Sequence, residues 1–115
     1  MSFEIDKKTY KITMNEGDFG IILKFIFSNI EENSNYRFIV YDILKEDKKT
    51  TDIDLLKKTI LNNELIDNKL PLELTEEESK LIPEGDHYWR LVQYIDNELK
   101  NTLFRDKKIK VEKGG

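Results

Sequence analysis

The chain of 115 residues is long enough for one domain with a buried core and too short for two. Charged residues make up 37% of it and the formal net charge is −4, which argues against a general affinity for nucleic acid or anionic membranes. There is no cysteine, so disulfides and thiolate metal sites are excluded, and no apolar run reaches the ~20 residues of a membrane span. The first residues, MSFEIDKK, lack the apolar core of a secretion signal, and the absence of alanine disfavours a helical bundle.

Alternating apolar and polar side chains predict strands along most of the chain. The segment Asp52–Leu61 is ambiguous, because Ile53, Leu56 and Ile60 also lie at helical spacing, so strand and helix both stay open there. The segments predicted as strands are Thr9–Met14, Ile21–Ser28, Tyr36–Leu44, Leu70–Leu74, a strand launched at Gly85, and Leu103–Val111.

Turn signals separate these strands. In the first turn, Gly17 is free to take a positive φ and the Asp18 side chain is able to bond the backbone locally. Pro71 implies an edge position or an outward-facing amide, and Thr75–Glu78 fits the capping box of a short helical turn near residues 75–80. Polar connections are predicted at Glu31–Asn35, Lys45–Thr51 and Asp96–Asn101.

The segment after Pro83 predicts the corner and closing hairpin of a sandwich. Gly85 bends the chain, and His87 and Trp89 then fall on one face of a strand. In many sandwiches a tyrosine at this corner bonds the preceding loop, and here the only histidine occupies the matching position. We therefore expect His87 to be a structural corner residue and Trp89 a core residue, with an exposed stacking platform as the alternative for Trp89.

These strands, their turns and one short helical crossover predict an all-β fold, an immunoglobulin-like antiparallel β-sandwich of about seven strands. We expect one domain over residues 1–115 with its core at about 8–112. Gly114 and Gly115 are expected to form a tail or linker.

Patterns typical of catalysis are missing from the sequence. No serine lies in a nucleophile-elbow context, no glycine-rich phosphate loop occurs, and zinc would need further His or Cys ligands beside His87. The one basic segment, Arg105–Lys113, is interrupted by Asp106 and Glu112, and lysines commonly protect a sheet edge. We expect no enzyme activity, cofactor, metal site, nucleic-acid partner or membrane partner.

The outward sides of the predicted strands are unusually apolar. A freely soluble antiparallel sheet carries polar groups on its solvent face, so an aliphatic and tyrosine stripe suggests a protein–protein interface. The competing explanation is a bulge that shifts the inward and outward assignment, or loops that cover this face. The predicted interface residues are Ile22, Ile26, Ile39, Tyr41, Ile43, Tyr88, Val92 and Tyr94.

Three segments in this order, ITMNEGDFG, LELTEEESKLIPEGDHYWRLV and NTLFRDKKIKV, resemble the N-terminal domain of phage baseplate upper proteins. The resemblance covers Tyr10 to Val111. Two residues depart from the family pattern: His87 stands where a tyrosine is usual and Arg90 where an acidic residue is usual. Contacts that those positions make in relatives are therefore not carried over.

The resemblance implies an immunoglobulin-like sandwich that anchors a tail or baseplate component to the virion, often in several copies. It predicts a structural protein of a phage, prophage or phage-tail-like particle, assembled in the host cytoplasm. The expected partners are other tail, baseplate, capsid or neck proteins, or further copies of the chain. A receptor- or carbohydrate-binding module using Tyr41, Tyr88, Tyr94 or Trp89 is the alternative, and a capsid or neck decoration protein is a second one.

Overall fold

A computed structural model describes residues 3–26, 33–65 and 67–113. Within these ranges the chain is almost entirely β-structure, with one four-residue helix and one 3₁₀ turn at Asn62–Glu64, which confirms the all-β prediction. The elements are β1 (Glu4–Ile5), β2 (Ile12–Asn15), β3 (Gly20–Ile26), β4 (Ser34–Glu46), β5 (Lys49–Ile60), β6 (Lys69–Leu74), α1 (Glu76–Ser79), β7 (Gly85–Ile95) and β8 (Glu98–Glu112).

The described strands form two sheets, which confirms the sandwich. The larger has the order β1-β2-β8-β7-β4-β5, and the smaller pairs β3 with β6. Neighbours are antiparallel except β2 and β8, which run parallel from Ile12 opposite Ile109 to Asn15 opposite Glu112. The first and last parts of the chain are therefore joined in one sheet.

The main core lies between the two sheets, because alternating apolar side chains point there from both. On the large sheet Phe38 lies opposite Leu91, and Val40 opposite Trp89, all four fully buried. On the small sheet Leu70, Leu72 and Leu74 are fully buried, as period-two alternation predicts.

The ambiguous middle segment is a strand. β5 pairs with β4 along its whole length, and its buried residues Leu56 and Ile60 lie opposite Val40 and Tyr36. Cross-strand packing on the core decides between strand and helix here, since local periodicity did not.

Two connections are shorter than predicted. β4 turns into β5 through only Asp47 and Lys48, and β7 turns into β8 through only Asp96 and Asn97, with all four residues at positive φ. Two consecutive left-handed residues form the turn whose twist matches an antiparallel hairpin. The predicted loops at Lys45–Thr51 and Asp96–Asn101 are thus mostly strand.

The first turn forms as predicted. Gly17 has φ of 84°, the Asp18 N–H donates to the Asn15 carbonyl (3.0 Å), and the Asp18 carboxylate accepts from the Asn15 N–H (2.9 Å). The strand before it is shorter than the predicted Thr9–Met14, because Tyr10 has a positive φ and strand geometry begins only at Ile12.

The crossover to β7 also follows its sequence signals. The Thr75 hydroxyl accepts from the Glu78 N–H (3.1 Å), and the Glu78 carboxylate accepts from the Thr75 N–H (2.9 Å), which is the predicted capping box. Pro71 lies in β6, whose other edge has no strand partner among the described residues. Phe27 and Ser28 of the predicted second strand, and the expected tail Gly114–Gly115, lie outside the described residues.

Candidate functional site

The corner that opens β7 is built around His87. Gly85 begins the strand with φ of 126°, a conformation that L side chains rarely adopt. His87 is 6% exposed, and its Nε2 lies 2.7 Å from the Pro83 carbonyl oxygen while its Nδ1 lies 2.6 Å from Asp42 Oδ1. A carbonyl only accepts, so Nε2 carries a proton and donates it. Both ring nitrogens are engaged, as suits a residue that fixes the corner.

Trp89 belongs to the core and is not a surface platform. Its side chain is fully buried, its ring centroid lies 5.6 Å from that of Phe38, and its Nε1 donates to the Tyr10 carbonyl (3.1 Å). This bond ties the N-terminal segment to the middle of the large sheet. The expectation of a core residue is met, and the stacking alternative for Trp89 is excluded.

A second apolar cluster covers the face of the large sheet that is turned away from β3 and β6, which we call the outer face. Six of the eight predicted interface residues meet here. Ile39, Tyr41 and Val92 are buried, and the partly buried side chains packed against them are Ile43, Tyr88 and Tyr94. The expectation of a freely exposed stripe is wrong for the first three, because neighbouring side chains cover them.

The other two predicted interface residues lie elsewhere. Ile22 is 9% exposed and packs in the main core, because a register irregularity between Ile21 and Leu23 reverses the alternation at that point. Its assignment to the surface was therefore wrong. Ile26 is 74% exposed, as expected, but it lies on the small sheet and apart from the outer face.

Tyr41 is the most enclosed residue of the outer face. Its ring stacks on Tyr88 at a centroid distance of 5.9 Å, the Arg90 guanidinium lies 4.6 Å above it, and its hydroxyl donates to an Asp106 carboxylate oxygen. Burial first, and then this bond to an anion, raise the pKa of Tyr41 to about 12. An exposed sugar-stacking role was one expectation for Tyr41, and the 0% exposure of its side chain contradicts it.

Asp106 reaches Tyr41 because β8 bulges beside it. Trp89 lies opposite Lys107 and Leu91 opposite Phe104, so Arg105 and Asp106 together oppose Arg90 alone. Asp106 has φ of 51° within the strand. A bulge redirects a side chain and increases local twist. Two further bulges follow along the same pairing, so the 11 residues of β7 lie alongside 14 residues of β8, from Glu98 to Val111.

Arg90 links the outer face to the opposite edge of the sheet. Its guanidinium lies 2.8 Å from Asp52 and 3.7 Å from Asp54, both on β5. With the bond between Tyr41 and Asp106, a continuous polar chain crosses four strands from β5 to β8. No local sequence pattern predicts these contacts, since Arg90 lies 38 residues from Asp52 and Tyr41 lies 65 residues from Asp106.

A groove of about 570 Å³ remains above this cluster, which we call the outer-face groove. Ile39, Tyr41 and Val92 form its floor, and Leu99, which is 57% exposed, stands at its rim. Charged groups from β5 and β8 flank it on both sides, namely Asp52, Arg105 and Asp106. An apolar floor with a charged rim is the anatomy of a protein-binding surface.

Within the described ranges, no group of three or more His, Asp or Glu side chains is placed to hold a metal ion. Among the same residues no helix is long and apolar enough to cross a membrane.

Comparison with models of known protein families found no match, and comparisons with curated proteins and with solved structures found none either.

Proposed function

We propose that this chain is a non-enzymatic structural protein of a phage, prophage or phage-tail-like particle. In this role it is a baseplate or tail adaptor that docks through its outer face onto a neighbouring structural protein. The observation that carries the proposal is the apolar and tyrosine cluster on the solvent side of the large sheet. The assignment to a phage or phage-like particle depends on the resemblance of Tyr10–Val111 to the baseplate upper protein domain.

The cluster suits docking because its apolar groups are already ordered. Tyr88 and Tyr94 are partly buried, and the Arg37 guanidinium lies 4.2 Å above the Tyr94 ring. Side chains held in place lose little conformational entropy when a partner covers them. The flanking carboxylates and guanidinium groups would fix the register of the partner, since opposed charges exclude wrong alignments.

The burial of aromatic side chains argues against the alternative of a carbohydrate-binding module. Of the four residues expected to stack on sugars, Trp89 and Tyr41 are fully buried. The Arg37 guanidinium covers the ring of Tyr94. Tyr88, the last of the four, is itself partly buried. A capsid or neck decoration protein is a second candidate function that would use the same surface. The position of the protein in the particle distinguishes decoration from a tail or baseplate role.

The proposal is tested by incorporation into particles. Purified particles from the producing strain are analysed by mass spectrometry, and we expect the protein in the tail fraction. Detection in tail-less capsids alone would favour decoration, and absence from all particles would refute the virion role.

A matched pair of leucines tests the surface itself. Leu99 is 57% exposed at the groove rim, and Leu81 is 55% exposed beside α1, where it does not line the groove. We expect Leu99→Asp to reduce incorporation by about tenfold or more, because a partner that covers the outer face would leave this carboxylate without an opposite charge. Leu81→Asp should incorporate like the wild type, because it adds the same charge elsewhere. Equal incorporation of both variants would refute docking through the outer face.

A further inference from the structure

A second groove opens at the side of the sandwich, where the two sheets part. It measures about 510 Å³ and lies between β3 and the bulged half of β8; we call it the lateral groove. Its floor is aromatic: the Phe104 ring lies 4.8 Å from Tyr10 and 5.0 Å from Phe25. It shares no lining residue with the outer-face groove, so it is a separate surface.

Both strands that border the lateral groove have an unpaired edge there among the described residues. β3 pairs with β6 on one side only. β8 pairs with β2 only through Ile109–Glu112, so its edge away from β7 has no strand partner from Glu98 to Lys108. Unpaired strand edges offer backbone N–H and C=O groups to an incoming strand.

The exposure of Ile26 marks the same place. Its side chain is 74% exposed at the end of β3, the largest exposure among the large apolar side chains of the described residues. With Leu103 it flanks the aromatic floor. An apolar trough beside free backbone groups is the arrangement that accepts an extended segment, with alternate side chains entering the trough.

The positive charge along the lateral groove indicates which kind of extended segment would bind there. Lys7 and Lys24 line it, and the Lys107 ammonium lies 5.8 Å from the Tyr10 ring centroid. No carboxylate is among the described residues that line it. Lysine ammonium groups beside an apolar floor favour a ligand that carries carboxylates next to apolar side chains.

We propose that the lateral groove binds an extended segment of a partner protein in which apolar residues alternate with Asp or Glu. The segment adds as a strand, its apolar side chains cover the Phe104 ring, and its carboxylates meet Lys7 and Lys24. This inference is independent of the virion role and of docking through the outer face.

Synthetic peptides test the proposal directly. The acidic probe is acetyl-Glu-Val-Glu-Ile-Glu-Val-Glu-amide, the basic probe has Lys in place of each Glu, and the third carries N-methyl groups on alternate amides of the acidic probe. Each is titrated into ¹⁵N-labelled protein, and the amide shifts of Lys24, Ile26 and Leu103 are followed. We expect the acidic probe to bind on the order of tenfold tighter than the basic one, and N-methylation to abolish binding, since it removes backbone donors.

Two exposed lysines on different strands provide matched variants. Lys24 lines the lateral groove, whereas Lys49 lies on β5, at the edge of the large sheet furthest from β8 and outside the groove. We expect Lys24→Glu to weaken the acidic probe about tenfold and to improve the basic one, because an attraction becomes a repulsion. Lys49→Glu should leave both affinities unchanged. Ile26→Asp should abolish binding without unfolding the protein.

Four results of the peptide titrations would overturn the proposal. These are no shift at millimolar acidic probe, equal affinity for both charged probes, undiminished binding of the N-methylated peptide, and equal effects of the two lysine variants. Concentration-dependent shifts at Ile26 and Leu103 without peptide would assign the lateral groove to a second copy of the chain and would also overturn it.

Discussion

The buried Tyr41 hydroxyl predicts a specific loss of stability in alkali. Its pKa is raised to about 12 in the folded protein, against an ordinary value of 10.0, because burial and the bond to Asp106 disfavour the phenolate. The unfolded chain therefore ionises first. The stabilisation is fully present below pH 10 and is lost as the pH rises from 10 towards 12. Two pKa units correspond to about 2.7 kcal/mol of unfolding free energy.

Substitution with phenylalanine isolates this effect. Tyr41→Phe keeps the ring in its stack with Tyr88 and removes only the ionisable group. At pH 8 we expect a cost of about 1 kcal/mol, because the hydrogen bond is lost while the Asp106 side chain, 57% exposed, stays solvated. Between pH 10 and 12 the wild type should lose about 2–3 kcal/mol more than the variant.

Urea unfolding followed by Trp89 fluorescence measures these free energies across the pH range, and the difference in tyrosinate absorbance between the two proteins gives the titration of Tyr41 itself. Tyr88→Phe, a matched change on the same face, should retain the alkaline loss that Tyr41 causes. Parallel losses for the wild type and Tyr41→Phe between pH 10 and 12 would show that Tyr41 does not cause the alkaline loss of stability.

Three further predictions concern the fold that holds the outer face. His87→Ala should cost about 1–3 kcal/mol of unfolding free energy, since it leaves the Pro83 carbonyl without its donor, and thermal unfolding tests this; an unchanged melting temperature would rule out a structural corner. Thr75→Ala should cost about 1 kcal/mol through loss of the helix cap, whereas Thr75→Ser should restore most of it in the same assay. Burial alone would raise the pKa of Glu78, but hydrogen bonds from Lys58 and the Thr75 N–H outweigh burial and lower that pKa from its ordinary value of 4.5. The stabilisation by the Glu78 carboxylate is therefore present above the ordinary pKa and is lost as the pH falls through the lowered one. Glu78→Gln should lose less stability than the wild type between pH 5 and pH 3 in urea titrations, and equal losses would contradict this expectation.

Local signals were sufficient for much of the sandwich. The alternation of Leu70, Leu72 and Leu74 and the capping box at Thr75 depend on residues close in sequence, and both appear in the structure as predicted. The two hairpins were predicted with loops that are too long. The dipeptide Asp96-Asn97 was itself a signal for a two-residue turn, because Asp and Asn tolerate a left-handed backbone.

Local sequence signals did not predict which residues of the outer face are buried. A single register irregularity placed Ile22 in the core, and no residue type at that point announces it. The Tyr41 hydroxyl bonds Asp106, which lies 65 residues further along the chain and reaches it through a bulge in β8. The burial of Tyr41 depends on contacts between strands that are distant in sequence. Strand alternation alone does not contain this information, and it therefore predicted an exposed side chain.

The proposed docking of the outer face onto a neighbouring protein of a phage or phage-like particle is best tested by cryo-electron microscopy of purified particles. We expect this sandwich in the tail or baseplate, with Tyr88, Tyr94 and Leu99 covered by another structural protein. Particles that contain the sandwich with those three side chains facing solvent, or that lack it altogether, would exclude the proposed role.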